Sequence, residues 1–310
     1  MAINAPQQLQ LAGYQGADSV LTAGLHALSG LLLASSRDWQ VHMQADVTSG
    51  GVTAGNLFKR VESSPAQLCY LASGYLSSRV SELGVLDVPF SVCDRAAALA
   101  CLDGDVGRIL TCAVEEKTGY KVLGFWDNGF RHISNAIKPL YAASDCVGMS
   151  IRTLDNANYR DMLAALGFNP MTTDVKDLVH VVRNGGVQAQ ENPLTNLTGF
   201  SIWQHHPYVS LTGHYFGVVL LVCNKPWFGG LSKAHQESLA AAAQKATNAQ
   251  RALAALEDAR AIAFLQNKDV NILGSHELDQ KSMLRATAAV GARQRAGLPN
   301  AALLRYLQVA

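Results

Sequence analysis

The apolar and polar residues in the first part of the chain follow the spacings of alternating strands and helices. Three short apolar or alternating runs, typical of β-strands, lie at 8–14, 39–47 and 68–72. Three longer stretches with helical spacing lie at 20–34, 51–62 and 95–116. Asp18 or Ser19 can cap the first of these helices. This order predicts an α/β domain with crossover connections.

The segment 148–196 repeats this order around a candidate binding group. A strand-like run containing Arg152 precedes a helix-like segment, a turn, a second helix-like segment and a loop containing Asn192. Strand ends in α/β domains point side chains into a crevice where ligands bind. An arginine there suits a carboxylate, because its planar fork matches two oxygens at once. The alternative for Arg152 is a structural salt bridge at a strand edge.

The second half of the chain contains the longest predicted element. Residues 233–266 contain no proline or glycine and are rich in alanine, which predicts one helix of roughly 50 Å. A helix of that length exceeds one small lobe, so we expect it to brace two. Strands are predicted at 121–127, at 208–224 as two strands joined near His214 and Tyr215, and at 269–273. Two short helices then end the chain.

Composition and charge narrow the class of protein. The chain has 310 residues, 49% of them hydrophobic and 16% charged, which fits a globular protein with two lobes. Its net charge of +1 argues against a nucleic-acid partner. The apolar run 213–223 is too short and too polar for a membrane span. The N-terminus lacks the pattern of a signal peptide, so we expect either a cytoplasmic protein or one whose leader has been removed.

The cysteines and histidines give no metal-binding pattern. The six cysteines form no Cys-x-x-Cys pair, and none has a zinc-like spacing to histidine. We expect buried free thiols, although an even number of cysteines also permits disulfides. His205 and His206 would point to opposite faces of an extended strand, so they are a poor metal pair. We therefore expect neither a metal nor a cofactor.

Enzyme motifs are also missing. Gly50 and Gly55 have the spacing of a phosphate-binding loop, but the lysine that should follow is absent. Neither Ser49 nor Ser73 lies in a Gly-x-Ser-x-Gly sequence. We expect a protein that is not an enzyme. An enzyme acting on a carboxylate remains a minor alternative, because a fold does not fix a function.

Several segments, taken in order, resemble one known family. The segment Ser73 to Ser77 and the segment Glu82 to Phe90 resemble its "SGYL…PELGVLDLPF" pattern. Further matching segments follow at 129–135, 148–152, 165–170, 190–193 and 211–215. The family comprises the solute-binding proteins of tripartite ATP-independent periplasmic (TRAP) transporters. The resemblance covers about residues 8–266.

The resemblance implies a two-lobe α/β fold with the ligand in the cleft between the lobes. It implies a small organic carboxylate as ligand, capture by lobe closure and delivery to a membrane permease driven by an ion gradient. It also implies a periplasmic location, which the sequence alone leaves open. We expect residues 1–128 and about 217–250 in the first lobe, and residues 129–216 and about 251–310 in the second. A sensor domain for an organic acid is the main alternative. We expect a monomer.

The resemblance also assigns candidate ligand contacts. It implies that the ligand carboxylate pairs with Arg152 and that Arg131 and Asn192 make further contacts. Arg131 could instead pair with Glu191 or a carbonyl group, and Asn192 could be a turn residue. Five more candidates lie near predicted strand ends, where ordinary packing is the alternative: Tyr14, Ser73, Tyr75, His214 and Tyr215. Departures from the family pattern at Met149, Ser150, Gln188 and Ala189 suggest where specificity differs.

Overall fold

A computed structural model describes residues 6–36, 38–65 and 67–308. Residues 1–5, part of the stretch considered for a signal peptide, lie outside it, as do residues 309–310 at the expected end of the second lobe. The strands are β1 (Gln7–Ala12), β2 (Trp39–Gln44), β3 (Gln67–Ala72), β4 (Tyr120–Asn135), β5 (Ser150–Thr153), β6 (Asn169–Thr172), β7 (Ala189–Pro193), β8 (Tyr208–Asn224) and β9 (Asn271–Leu273).

The helices match the amphipathic stretches of the sequence. They are α1 (Val20–Ser35), α2 (Ala54–Ser63), α3 (Arg95–Asp103), α4 (Asp105–Lys117), α5 (Ala157–Ala165), α6 (Val175–Arg183), α7 (Leu194–Gly199), α8 (Lys225–Gly230), α9 (Lys233–Gln266) and α10 (Gln280–Ala296). Ser19 caps α1, because its hydroxyl accepts a hydrogen bond from the backbone nitrogen of Thr22 at 3.0 Å. The stretch 95–116, expected as one helix, is broken at Gly104, whose backbone leaves the helical conformation.

All the strands join one sheet, with the order β2-β1-β3-β8-β4-β7-β5-β6 and β9 beside β8. The strands β1, β2 and β3 are parallel, as are β5, β6 and β7. Between these two parallel sets run the long antiparallel strands β4 and β8, which pair with each other. The expected α/β fold with two lobes is confirmed, and β4 and β8 are the strands that cross from one lobe to the other.

The buried apolar residues fall into separate cores, one for the first lobe and two for the second. The first core is built by β1 to β3, α1, α2 and the residues of β4 and β8 nearest them. One core of the second lobe surrounds α5, and the other surrounds α6 and α7. The helix α9 contributes Leu239 to the first core and Leu265 to the third, so it braces both lobes as expected.

The end of the chain packs differently from the expectation. Residues 301–308 form a 3₁₀ helix, and its Leu303 and Tyr306 lie in the first core. The expectation that residues 251–310 all belong to the second lobe is therefore wrong for this terminal turn. The physical reason is its two buried apolar side chains, which the sequence pattern did not assign to either lobe.

The two crossing strands are longer than expected. The strand predicted at 121–127 continues to Asn135, with a register shift next to Asp127. The stretch 208–224 is one strand and not two, and its pairing shifts between Arg131 and Ile133 of β4. Gly213, in this bulge, has a φ of 56°, a conformation that favours glycine. Alternating polarity cannot distinguish such a bulge from a turn.

Candidate functional site

The candidate site is built around a buried ion pair between β4 and β7. Arg131 donates from Nε to Glu191 Oε2 at 2.5 Å and from Nη2 to Oε1 at 2.9 Å. The same Nη2 also donates to the Glu191 carbonyl at 2.9 Å and contacts Asn192 Oδ1 at 3.3 Å. Both side chains are almost wholly buried. Sequence reasoning left a pairing of Arg131 with Glu191 open, and the structure shows that pairing.

Glu191 is held in its ionised form. Burial alone would raise its pKa, but the charge of Arg131 and hydrogen bonds from His214 and Arg131 bring that pKa down to about 2. The hydroxyl of Thr153 donates to Oε1 at 2.7 Å, and His214 Nε2 lies 3.5 Å from Oε2. The pKa of Arg131 is raised, because Glu191 more than offsets the effect of burial. Arg131 and Glu191 are therefore both ionised, and the pair carries no net charge.

Arg152, on β5, has a different environment. Its Nε and Nη2 donate to the backbone carbonyl of Thr173 at 3.1 and 2.5 Å. Among the described residues it has no carboxylate within 4.0 Å, and the Tyr75 hydroxyl lies within hydrogen-bonding reach of it, although its exposure is only 2%. Burial lowers its pKa, while the neighbouring Tyr75 hydroxyl and the charge of Glu191 oppose that shift. The alternative of a salt bridge for Arg152 is not what the structure shows, and a buried charge of this kind needs an anionic partner.

Asn192 belongs to a chain of amide groups and is not a simple turn residue. Its Nδ2 donates to Gln190 Oε1 at 2.6 Å, and its Oδ1 accepts from Asn196 Nδ2 at 3.2 Å. Gln190 donates in turn to the hydroxyl of Ser134 at 2.6 Å. These amides link the Arg131 pair to α7, since Asn196 lies in that helix. Their hydrogen bonds hold the side chain of Asn192 in one orientation.

Tyr75 approaches this cluster from the first lobe. It lies in a 3₁₀ helix after β3 and packs against the first core and against the α5 core of the second lobe. Burial raises the pKa of its hydroxyl, and the nearby Arg152 guanidinium opposes that rise. Tyr75 is thus the candidate that lies between the lobes and faces Arg152.

Tyr14 and Ser73 lie behind Tyr75 on the side of the first lobe. The Tyr14 ring packs 6.3 Å from that of Tyr75, and its hydroxyl accepts a hydrogen bond from the backbone of Ala72 at 3.3 Å. Ser73 is buried, and its carbonyl accepts a hydrogen bond from Ser77. The Tyr14 ring therefore supports Tyr75 by packing, and the ligand role of Ser73 stays a prediction.

His214 and Tyr215 lie in the bulge region of β8 and are buried. His214 shares a hydrogen bond of 2.7 Å with Thr212 through Nδ1, and its Nε2 faces Glu191. Burial lowers the pKa of His214, which favours the neutral ring. Tyr215 stacks on Tyr159 at 4.3 Å between ring centroids. His214 thus contacts the Arg131 pair directly, and Tyr215 packs on Tyr159, whose ring lies 5.5 Å from the Arg131 guanidinium.

The sequence did not single out an inter-lobe contact made by Asn156. Its Oδ1 caps α5, and its Nδ2 donates to the carbonyl of Gly74 at 3.1 Å and to Asp87 Oδ2 at 2.8 Å. Gly74 and Asp87 belong to the segments that follow β3, in the first lobe. The helix-capping pattern at Asn156 was visible in the sequence, but a partner 82 positions away was not. Burial raises the pKa of Asp87 at this contact.

Two neighbouring openings are lined by residues of both lobes. One has a volume of about 370 Å³ and the other about 90 Å³, and both are lined by Asp18, Ser19, Thr195 and Asn196. The larger one is also lined by Glu257 and Arg260 of α9. Asn196 connects these openings to the amide chain of the site. We refer to them together as the mouth.

Two of the four positions that depart from the family pattern contact each other. Ser150 and Gln188 hydrogen bond to each other at 3.0 and 3.1 Å near the start of β5. The cysteines are free, but Cys93 and Cys112 are exposed and Cys101 is half-buried, so the expectation of burial is wrong for these three. Within the described residues there is no group of three or more potential metal ligands. No helix in this part of the chain has the length and apolarity needed to cross a bilayer.

Comparison with known proteins gives a family match and close structural likenesses. Residues 21–296 match the model of bacterial extracellular solute-binding protein, family 7. A solute-binding protein of Verminephrobacter eiseniae is 32% identical over 73% of this chain and 67% of its own length. The 2,3-diketo-L-gulonate-binding periplasmic protein YiaO of Escherichia coli is 32% identical over 64% of this chain, and that match spans only 60% of the relative.

Solved structures agree with the fold. The sugar acid binding protein DctPAm of Advenella mimigardefordensis, in complex with galactonate, has a TM-score of 0.92 at 21% identity over 98% of both chains. A TRAP periplasmic solute-binding protein of Polaromonas sp. JS666, bound to D-erythronate, has a TM-score of 0.91 at 25% identity, over 97% of this chain and 98% of that one. These relatives are binding proteins and not enzymes. The chain belongs to family 7 of the bacterial extracellular solute-binding proteins, which includes the solute-binding proteins of TRAP transporters.

Proposed function

We propose that the protein captures a small organic carboxylate between its lobes, with Arg152 as the carboxylate receptor. The observation that carries this proposal is the buried guanidinium of Arg152, which has no anionic partner among the described residues and faces Tyr75 of the other lobe. A carboxylate bound at its free N–H groups would supply the missing charge through paired hydrogen bonds. Arg131 and Asn192 would orient that carboxylate, and Tyr75 would exclude water from it.

Lobe closure follows from the position of these groups. Arg152 and Asn192 belong to the second lobe and Tyr75 to the first, so a ligand that contacts both favours the closed arrangement. The strands β4 and β8 and the helix α9 connect the lobes, and residues 129 and 217 are the proposed boundary positions along these strands. The closed protein, as a monomer in the periplasm after loss of a leader, would deliver its ligand to the membrane subunits of a TRAP permease. This role is supported by the family to which the chain belongs and by the carboxylates bound in the solved structures of its relatives.

A thermal-shift screen tests the proposed function. The purified protein would be heated with a panel of organic acids and, separately, with neutral sugars and amines. An acid at a hundred times its dissociation constant should add roughly 2.7 kcal/mol to the free energy of unfolding. A panel in which only sugars or amines raise the melting temperature would contradict carboxylate capture.

A further inference from the structure

The end of the chain forms a further connection between the two lobes. Helix α10 packs on the second lobe, where its Met283 and Val290 lie in the core around α5. The 3₁₀ helix 301–308 packs on the first lobe, because its Leu303 and Tyr306 lie in the first core. We refer to α10, this 3₁₀ helix and the four residues between them as the strap.

Polar contacts also fix α10 to the second lobe. Near its start, the hydroxyl of Ser282 accepts a hydrogen bond at 3.1 Å from the backbone nitrogen of Ala143, which lies between β4 and β5. Near its end, Nη2 of Arg293 pairs with the Asp161 carboxylate of α5 at 2.5 Å. Since these contacts and the apolar core hold both ends of α10, this helix moves with the second lobe.

The four residues between the two helices of the strap carry almost no slack. The backbone nitrogens of Gly297 and Leu298 donate back to carbonyls in the last turn of α10 at 3.0 and 3.3 Å. Asn300 caps the 3₁₀ helix, since its Oδ1 accepts a hydrogen bond from the backbone of that helix at 2.9 Å. Between them lies Pro299, whose ring fixes φ. A change in the relative position of the lobes therefore acts directly on the docked 3₁₀ helix.

Docking of the 3₁₀ helix is favourable but incompletely compensated. Leu303 and Tyr306 are 0% and 1% exposed, and burial of these side chains favours docking. The hydroxyl of Tyr306 and both polar side-chain atoms of Gln294 on α10, however, are buried without a hydrogen-bond partner in the described part of the chain. Such unpaired groups oppose burial. The ion pair of Arg305 with Asp105 is exposed and adds little. The 3₁₀ helix is therefore the part of the strap that is displaced most easily.

We infer that the strap is a conformational latch, whose 3₁₀ helix leaves the first core when the lobes open and docks again when they close. This inference rests on the proposed lobe closure and adds a coupling to it. In the structure the lobes are in contact, through a hydrogen bond of 2.8 Å between Asn156 and Asp87, and the 3₁₀ helix is docked. Docking thus stabilises the closed arrangement, and by reciprocity it strengthens the binding of any ligand that favours closure.

An insertion into the strap tests the coupling without a ligand. Gly-Ser-Gly-Ser placed between Pro299 and Asn300 supplies slack, so the lobes open without displacing the 3₁₀ helix. Hydrogen exchange followed by mass spectrometry should show residues 301–308 exchanging at least about tenfold more slowly in the insertion variant than in the unaltered protein. A longer linker by itself acts in the opposite direction, since doubling its length weakens docking by roughly threefold. Exchange that is unchanged or faster overturns the inference.

Acid binding tests the same coupling from the side of the cleft. Galactonate and, separately, D-erythronate should slow the exchange of residues 301–308 at least about tenfold in the unaltered protein, and by less than about threefold in the insertion variant. Equal slowing in both proteins would show general stabilisation by the acid and contradict the latch. If neither acid binds, the insertion experiment still decides the inference, whereas the wider acid screen decides the proposed function.

Two substitutions in the 3₁₀ helix should change acid affinity in opposite directions. Leu303→Ala weakens docking and should weaken acid binding about tenfold, whereas Tyr306→Phe removes the unpaired hydroxyl and should strengthen acid binding about threefold or more. The control is Leu57→Ala, which truncates an equally buried leucine of α2 in the same core and should change affinity by less than about threefold. Equal losses in the two leucine variants, or an unchanged affinity in Tyr306→Phe, would contradict the latch. Tyr306→Phe decides this arm even if Leu303→Ala fails to fold.

Discussion

Replacement of Arg152 by methionine should have opposite effects on ligand binding and on the stability of the free protein. Methionine keeps an unbranched apolar stem but removes a guanidinium that is 2% exposed and has no carboxylate partner among the described residues. Removal of one partner of a desolvated charge pair typically costs about 2–5 kcal/mol of binding free energy. That corresponds to a loss of roughly 30-fold to several-thousand-fold in affinity.

The free protein should not lose stability in the same way. Without ligand, burial penalises the charge of Arg152, which donates to the backbone carbonyl of Thr173 and lies within hydrogen-bonding reach of Tyr75. Arg152→Met therefore removes a desolvation cost while leaving that carbonyl without its donor. We expect the free energy of unfolding to change by less than about 1 kcal/mol in either direction, because these two contributions oppose each other.

Titration calorimetry and urea denaturation measure the two quantities separately. A matched control is Arg160→Met, which removes an arginine from α5 in the same lobe whose contact with Asp155 is solvent-exposed. Such an exposed pair is worth about 0–1 kcal/mol, so the control should preserve both affinity and stability. The reasoning is refuted if Arg152→Met binds its acid within about threefold of the unaltered protein, or if it unfolds the free protein while Arg160→Met does not.

The other predictions concern stability and pH. Glu191→Gln should lower the free energy of unfolding by about 3–5 kcal/mol, because it leaves Arg131 buried without its charge partner; urea denaturation that shows less than about 1 kcal/mol would contradict this. Burial raises the pKa of Asp127 to about 6, so its ionisation costs stability as pH rises from about 4 to 6. The free energy of unfolding of Asp127→Asn, relative to that of the unaltered protein, should therefore rise by up to about 3 kcal/mol between pH 4 and 7. A difference in stability that stays constant over this range would refute the raised pKa of Asp127. Asn156→Ala should cost about 2–3 kcal/mol in urea denaturation, since it removes the cap of α5 and a donor to Asp87; a cost below about 0.5 kcal/mol would contradict that account.

Much of the fold could be predicted from the sequence, since strands and helices carry distinct apolar periods. The helix 233–266 has the expected bounds, because it contains no residue that breaks a helix. The bulges at Gly213 and next to Asp127 were not predictable, since a strand that crosses two lobes looks like two strands joined by a turn. The 3₁₀ helix at 301–308 was placed in the wrong lobe, because periodicity shows that a face is apolar but not which core it joins.

The candidate site was only partly predictable. Residue types and a family resemblance led to Arg152, Arg131 and Asn192, and the structure places these three close together. Which arginine is free for a ligand depends on the position of Glu191, and the sequence left that pairing as one alternative among several. The inter-lobe contact of Asn156 depends on tertiary packing, because its partner is distant in sequence. Ligand roles for the eight candidate residues remain predictions.

The central claim is that Arg152 makes the protein a receptor for a carboxylate. Titration calorimetry with an acid and the polyol that lacks its carboxylate, such as D-erythronate against erythritol or galactonate against galactitol, tests this most directly. The account predicts that the acid binds and that the polyol binds at least about 30-fold more weakly, the smallest loss expected when a desolvated charge pair cannot form. Equal binding of the acid and the polyol would contradict the claim.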